Sequence, residues 1–207
     1  GGTWNLFANT MKDQGIEVRF VDPADPQAFA RATDQRTRAY YAETLPNPKL
    51  AVFPIREVAE IGRPLGIPLI VDNTAAPILT RPLDQGAAVV VYSGTKYLGG
   101  HANSIAGLIV DGGNFDWAAH PQRQPALNTP DPSYHGAVWV EAVEPIGPAP
   151  YIIKGRTTLL RDLGAPLAPF NAFLILQGIE TVTLRMERHV KNAQAVADFL
   201  AKRPEVA

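Results

Sequence analysis

One stretch constrains the fold more than any other: Val89-Val90-Val91-Tyr92-Ser93-Gly94-Thr95-Lys96-Tyr97-Leu98-Gly99-Gly100-His101. It opens with a β-branched run, the pattern of a buried strand. It then breaks into hydroxyls and glycines around one lysine. A lysine leaving a buried strand in such a bend sits where loops carry chemistry. Burial disfavours the ammonium, so a partly buried Lys96 is expected to have a lowered pKa and a more nucleophilic amine. Lysines of this kind form Schiff bases with carbonyl compounds. The plainer reading is a strand-end lysine reaching solvent beside an ordinary turn.

Upstream, Leu69-Ile70-Val71 is a second short buried-strand pattern, and it ends in Asp72-Asn73-Thr74. A carboxylate at the C-terminal end of a parallel strand points into the crevice where open α/β sheets bind ligands. Pyridoxal phosphate requires both a lysine and such a carboxylate, which keeps the pyridine nitrogen protonated. Ser93 and Thr95 flank the lysine with hydroxyl donors that suit a phosphate.

The remaining chain supports an α/β reading. Residues 3–12 form a helical pattern stopped by Gly15. Residues 16–21 alternate as a strand, and Pro26 opens a short helix through Thr33. Residues 38–42 read as a strand and 55–65 as an amphipathic helix closed by Gly66. Strand, helix, strand recurs, so parallel βαβ units follow. Residues 104–110 form a further strand. Residues 115–134 are proline-rich with little periodicity, which predicts a surface loop. Helices are predicted over 156–163, 169–178 and 181–201. The last is expected to turn Leu184, Val190, Ala193, Val196, Ala197 and Leu200 inward and to leave Arg185, Glu187, Arg188 and Lys191 as a solvated face.

Composition removes several function classes. The formal net charge is -1, and no basic patch suggests nucleic acid. No cysteine is present, which excludes disulfides and thiolate metal sites and fits a reducing compartment. No apolar run is long enough to span a membrane, and no signal peptide is expected. His120 and His135 are discounted as acid-base groups, because a lone histidine in a polar loop is usually solvated. No G-x-G-x-x-G follows a predicted strand, which argues against a dinucleotide site.

Val71-Asp72-Asn73-Thr74, Arg81-Pro82-Leu83, Ser93 through His101 and Leu184-Arg185-Met186-Glu187-Arg188-His189 together resemble the Cys/Met-metabolism family of pyridoxal-phosphate enzymes. Within that family the likeness is greatest to the O-acetylhomoserine sulfhydrylases. It rests on Asn128 through Gly136, Leu160 through Gly164 and Ala168 through Asn171. The resemblance implies a mostly parallel sheet flanked by helices, an incomplete fold-type-I large domain over residues 1–178. Residues 179–207 would be a long helix leading to a C-terminal domain. It implies pyridoxal 5'-phosphate held on Lys96, with Asp72 at the ring nitrogen, Ser93 and Thr95 on the phosphate, and Thr74 among the cofactor-binding residues. Asn47 would lie beside the phenolic oxygen; without the resemblance, an Asn between prolines simply shapes a loop.

The resemblance further implies γ-replacement on O-acetyl-L-homoserine by sulfide or a thiol, giving homocysteine or methionine plus acetate. The enzyme would be cytoplasmic, serve methionine biosynthesis and transsulfuration, and assemble as a dimer of dimers. Residues 115–134 would then border the substrate entrance. A γ- or β-lyase would share every one of these residues, and a non-catalytic piece of such an enzyme is the other alternative. Two departures are visible: Ala88 stands where the family has Asp, and Ala102 where it has a Gly, Ser, Asn or His. The chain starts on Gly1-Gly2-Thr3 without Met and is shorter than family members, so it is expected to be part of a longer protein.

Overall fold

The computed structural model describes residues 2–206. Its centre is a four-stranded sheet, and apart from residues 16–21 the main strands and helices appear in the order that the sequence pattern predicts. A helical run, α1 (residues 2–13), begins the chain. α2 (Pro26–Ala32) carries Pro26 at its first turn, and its Asp25 cap accepts from the Gln27 N–H. β1 (Tyr40–Glu43), α3 (Ile55–Gly62), β2 (Leu69–Asp72), β3 (Val89–Ser93) and β4 (Gly107–Asp111) follow. α4 (residues 150–163), α5 (Pro169–Glu180) and α6 (Val182–Leu200) complete it.

The strands lie in the order β1-β2-β3-β4. β1 and β3 both run parallel to β2, with Tyr40 opposite Leu69 and Ile70 opposite Val89. β4 is antiparallel to β3, with Ser93 opposite Gly107. No crossover helix separates β3 from β4, and a chain returning without one pairs antiparallel. The fold is therefore α/β with a mostly parallel sheet.

Side-chain alternation divides the core in two. Tyr40, Ala42, Leu69, Val71 and Val90 face α2 and α3 and pack with Phe29, Phe53, Ile55 and Val58. Val89 and Val91 face the other way, toward Phe115, Trp117, Leu127 and Trp139. Successive side chains on a strand point to opposite faces, so the β-branched run needs cover on both. Leu69→Ala is expected to cost about 2–5 kcal/mol, since the side chain is 2% exposed and the packed sheet cannot collapse around the void. Urea unfolding midpoints at constant slope measure this.

Three expectations are corrected. Residues 16–21 do not form a strand: Ile16 and Phe20 are exposed, and no ladder partner exists among the described residues. An alternating pattern gives extended backbone, but a strand requires a neighbour. Ion pairing holds this segment instead. Arg19 reaches Asp34 at 2.7 Å and lowers that carboxyl to about 2.

Residues 115–134 are not a plain surface loop. Phe115, Trp117 and Leu127 are buried, and Trp117 stacks on Tyr151 at 4.9 Å. Prolines disrupt periodicity, yet the aromatics still supply the second half of the core.

On α6, the six residues expected inward are all exposed; only Val182 and Met186 are buried. The stripe is real in sequence, but beyond the first turns no described element lies against it. No helix among the described residues is long and apolar enough to cross a membrane.

Candidate active site

The three parallel strands end along one edge of the sheet, and each hands the chain to polar residues there. β1 leads to Thr44, β2 from Asp72 to Asn73 and Thr74, and β3 from Ser93 into the Gly94–Leu98 turn that bears Lys96. Register sets Glu43 opposite Asp72 and Asp72 opposite Val91. Ligands of open α/β sheets bind beyond these carboxyl ends.

Asn73 ties the edge together. It is fully buried, and its Oδ1 accepts from the Thr44 hydroxyl at 2.8 Å. Its Nδ2 donates to the Thr80 carbonyl and to the Tyr92 hydroxyl, both at 3.2 Å. Its backbone N–H donates to the Val91 carbonyl at 3.0 Å. A buried amide satisfied on this many sides holds its neighbours in register, and those neighbours are Asp72 and Thr74.

Asp72 is half-buried. Its Oδ1 accepts from the Thr74 N–H at 2.9 Å and its Oδ2 from the Tyr41 hydroxyl at 3.3 Å. Each oxygen keeps room for another donor. Burial raises the Tyr41 pKa above the ordinary range, with the Asp72 and Glu43 charges adding to it, so the hydroxyl remains a donor. Thr74 Oγ1 accepts from the Ser93 N–H at 2.7 Å, which joins the ends of β2 and β3. Asp72, Thr74, Ser93 and the lysine turn are thus neighbours on one edge.

Lys96 is exposed. The ion-paired lysines among the described residues are Lys154 and Lys191. The partial burial expected for the Lys96 amine is not met, and its backbone, at φ -93° and ψ -125°, leaves the helical region within the turn. Thr95 is also placed otherwise than expected. Its hydroxyl accepts from the Ala106 N–H at 3.1 Å and lies 3.4 Å from the Ala106 carbonyl, closing the connection from β3 to β4. Asn47 is exposed in the loop after β1, and its side chain bonds to none of these groups among the described residues.

His120 lies against Gly66, which precedes β2 and so marks the opposite end of the sheet. That position supports discounting it. Ala88 is fully buried at the start of β3, and Ala102 adopts φ 55° just past the lysine loop.

Residue-by-residue reading missed Tyr41, Asn73 and Arg185. A polar residue directly after a strand-end carboxylate is a usable signal for Asn73. Nothing local marks Tyr41 or Arg185, whose partners are distant in the chain.

The arrangement offers an amine free to attack a carbonyl or take a proton, a carboxylate able to face a protonated ring nitrogen, and hydroxyls for an anion. The O-acetyl-L-homoserine sulfhydrylase of Leptospira meyeri is 49% identical over 212 residues, covering 100% of this chain and 48% of that protein. The homocysteine synthase of Schizosaccharomyces pombe is 46% identical over 208 residues, with 100% and 48% covered. A crystal structure from Campylobacter jejuni, described as an O-acetylhomoserine (thiol)-lyase carrying a pyridoxyl-lysine phosphate, superposes with a TM-score of 0.90. It is 40% identical and is matched over 99% of this chain and 50% of that one. The chain spans about half the length of the curated relatives it matches. Residues 1–207 match the model of the family described as Cys/Met metabolism PLP-dependent enzyme, and with a strand-end acid and lysine on one edge of a mostly parallel sheet, the chain belongs to that family.

Proposed function

We propose that the protein of which this chain is all or part catalyses γ-replacement on O-acetyl-L-homoserine by sulfide or a thiol. The products would be homocysteine or methionine, plus acetate. The observation that carries the reading is the shared edge: Asp72 at the end of β2 beside the β3 end and its lysine turn. Relatives named for this reaction supply the substrate class.

The residues fit pyridoxal 5'-phosphate. Lys96 offers an unpaired amine to its carbonyl, Asp72 has oxygen capacity left for its ring nitrogen, and Ser93 and Thr74 offer hydroxyls toward its phosphate. Thr95 contributes less than expected, because its hydroxyl is engaged with Ala106. Asn47 would meet the phenolic oxygen from the loop after β1. When bound, the cofactor supplies an electron sink for negative charge at the substrate α-carbon.

Lys96 holds the cofactor at rest. With the substrate bound, its Nζ would be the general base that takes the α-proton. Asp72 keeps the ring nitrogen protonated, and Tyr41 and the Thr74 N–H hold that carboxylate in place. Removal of a β-proton would release the γ-substituent as acetate, the thiolate sulfur would form the C–S bond at the γ-carbon in its place, and the protons taken from the α- and β-carbons would be returned there.

Residues 1–178 would be the cofactor-binding part, with 179–207 as the helix leading onward; Gly1 and Ala207 lie outside the described residues. Assembly as a dimer of dimers goes with this reading, and the exposed apolar side chains of α5 and α6, among them Phe173, Leu176 and Leu184, leave an uncovered face for a neighbour. The compartment proposed is the cytoplasm.

The test is incubation of the full-length protein with pyridoxal phosphate, borohydride reduction and peptide mapping, followed by product analysis. The expected result is a pyridoxyl mass on Lys96 and thiol-dependent release of acetate. Ammonia and a keto acid formed without added thiol would make the enzyme a lyase. An unlabelled Lys96 would overturn the cofactor assignment.

A further inference from the structure

We propose that Arg185 is a positioning residue for Lys96, acting from α6 by clamping the loop that follows the lysine. The proposal rests on the reading of Lys96 given above. Sequence pattern places Arg185 among solvated charges, but the structure does not. Its Nη1 donates to the Tyr97 carbonyl at 2.7 Å, and its Nη2 to the Leu98 carbonyl at 3.3 Å and the Gly178 carbonyl at 2.7 Å. Its Nε donates to the Thr181 hydroxyl at 3.1 Å. One guanidinium thus joins three segments: the lysine turn, the end of α5 and the start of α6. All four acceptors are neutral oxygens.

The loop is seated backbone against backbone. A Cβ on Gly178 would lie 2.1 Å from the Gly99 carbonyl oxygen, and one on Gly100 would lie 2.5 Å from the Arg185 Cζ. Gly100 also has φ +73°, where a side chain is strained. Within the loop, the Gly99 N–H donates to the Gly94 carbonyl and the Gly100 N–H to the Lys96 carbonyl, at 2.9 and 2.8 Å. Arg185 takes up the carbonyls of the two intervening residues. The residue that leaves the helical region, Lys96, is therefore braced from one side by β3 and from the other by this guanidinium.

Lysine cannot substitute. A single ammonium is a point donor, whereas the flat guanidinium fork reaches Tyr97 and Gly178 at once. Misplacing a reacting amine by about 1 Å can cost about 10²-fold in rate.

Arg185→Gln and Arg185→Lys in the full-length protein test this. Amide hydrogen exchange at Gly99 and Gly100 reads the clamp without any cofactor. The rate of pyridoxal phosphate labelling at Lys96, trapped by borohydride, reads the amine's position. Both variants are expected to speed loop exchange and to slow Lys96 labelling roughly tenfold or more, with sheet amides unchanged. In the loaded enzyme kcat should fall while KM holds. If Arg185→Gln does not fold, Thr181→Val removes the Nε acceptor together with that hydroxyl's own 3.3 Å bond to the Gly178 carbonyl, leaves the Tyr97, Leu98 and Gly178 acceptors of the guanidinium in place, and is read the same way. Unchanged exchange and labelling would overturn the proposal, as would full rescue by lysine. Should the unaltered protein take no label on Lys96, the functional reading falls, and exchange at Gly99 and Gly100 still decides whether Arg185 clamps the loop.

Discussion

Lys96→Ala should lower turnover of the full-length enzyme by about 10³-fold or more while leaving its melting temperature nearly unchanged. The two halves of that result have separate causes. Lys96 is exposed and outside every ion pair described, so removing its side chain disturbs no packed contact. In the proposed chemistry, however, its Nζ both holds the cofactor and moves the α-proton, and no neighbouring group can replace it. The lysine side chains that ion-pair, Lys154 and Lys191, are committed elsewhere. Steady-state kinetics beside a thermal melt measures both halves. A variant keeping more than a tenth of the normal rate would remove Lys96 from the mechanism. A matching loss of stability would instead give it a structural role.

Asp131→Asn is expected to have the largest effect on stability, lowering the melting temperature by roughly 5 °C or more. The Asp131 side chain sits under the second half of the core and accepts four hydrogen bonds. Lys154 Nζ and Trp139 Nε1 reach its Oδ2 at 2.6 and 2.7 Å. The Ser133 N–H and hydroxyl reach its Oδ1 at 2.9 and 2.6 Å. These bonds fasten residues 115–134 to Trp139 and α4. An amide in its place would leave the Lys154 ammonium, only 20% exposed, without a counter-charge.

The same cluster sets a pH dependence. The Lys154 hydrogen bond, followed by those from Ser133 and Trp139, holds the Asp131 carboxyl well below the usual carboxylate range. A lowered folded-state pKa means that the native state binds the proton less readily than the unfolded chain. The stabilisation is therefore complete above the unfolded value of about 3.9 and is lost as pH falls below it. Melting curves recorded from neutral pH down to about pH 3 should steepen there in the unaltered protein and flatten in Asp131→Asn. Equal slopes for the two proteins would show that Asp131 is not the responsible carboxylate. Asp34, lowered to about 2 by Arg19, acts in the same direction and remains in both.

What could be read from the sequence was whatever is local. A strand-length β-branched run ending in hydroxyls and a lysine needs no partner to be recognised. The same holds for a short apolar run ending in Asp72. Pro26 and Gly66 mark helix ends because each acts through its own backbone angle. The strand ends carrying Asp72, Ser93 and Lys96 were therefore placed correctly. The contact of Thr95 was not legible there: a hydroxyl's neighbours in sequence do not show which backbone groups it meets, and here it meets Ala106, just before the next strand.

The sequence by itself determined the class of fold, the strands that carry the candidate site, and the positions of the acid and the lysine at their ends. These follow from side-chain period, backbone preference and the cost of burying charge, all of which act over a few residues. Tertiary structure alone decided which faces are covered. It buried the aromatics of the proline-rich segment and left most of the α6 stripe bare. It denied residues 16–21 a ladder, left Lys96 exposed, and drew Arg185 onto the lysine loop across 88 positions of sequence. The physical reason is common to all of them. Burial and hydrogen-bond satisfaction belong to pairs of surfaces, and a linear sequence states each surface without stating what it meets.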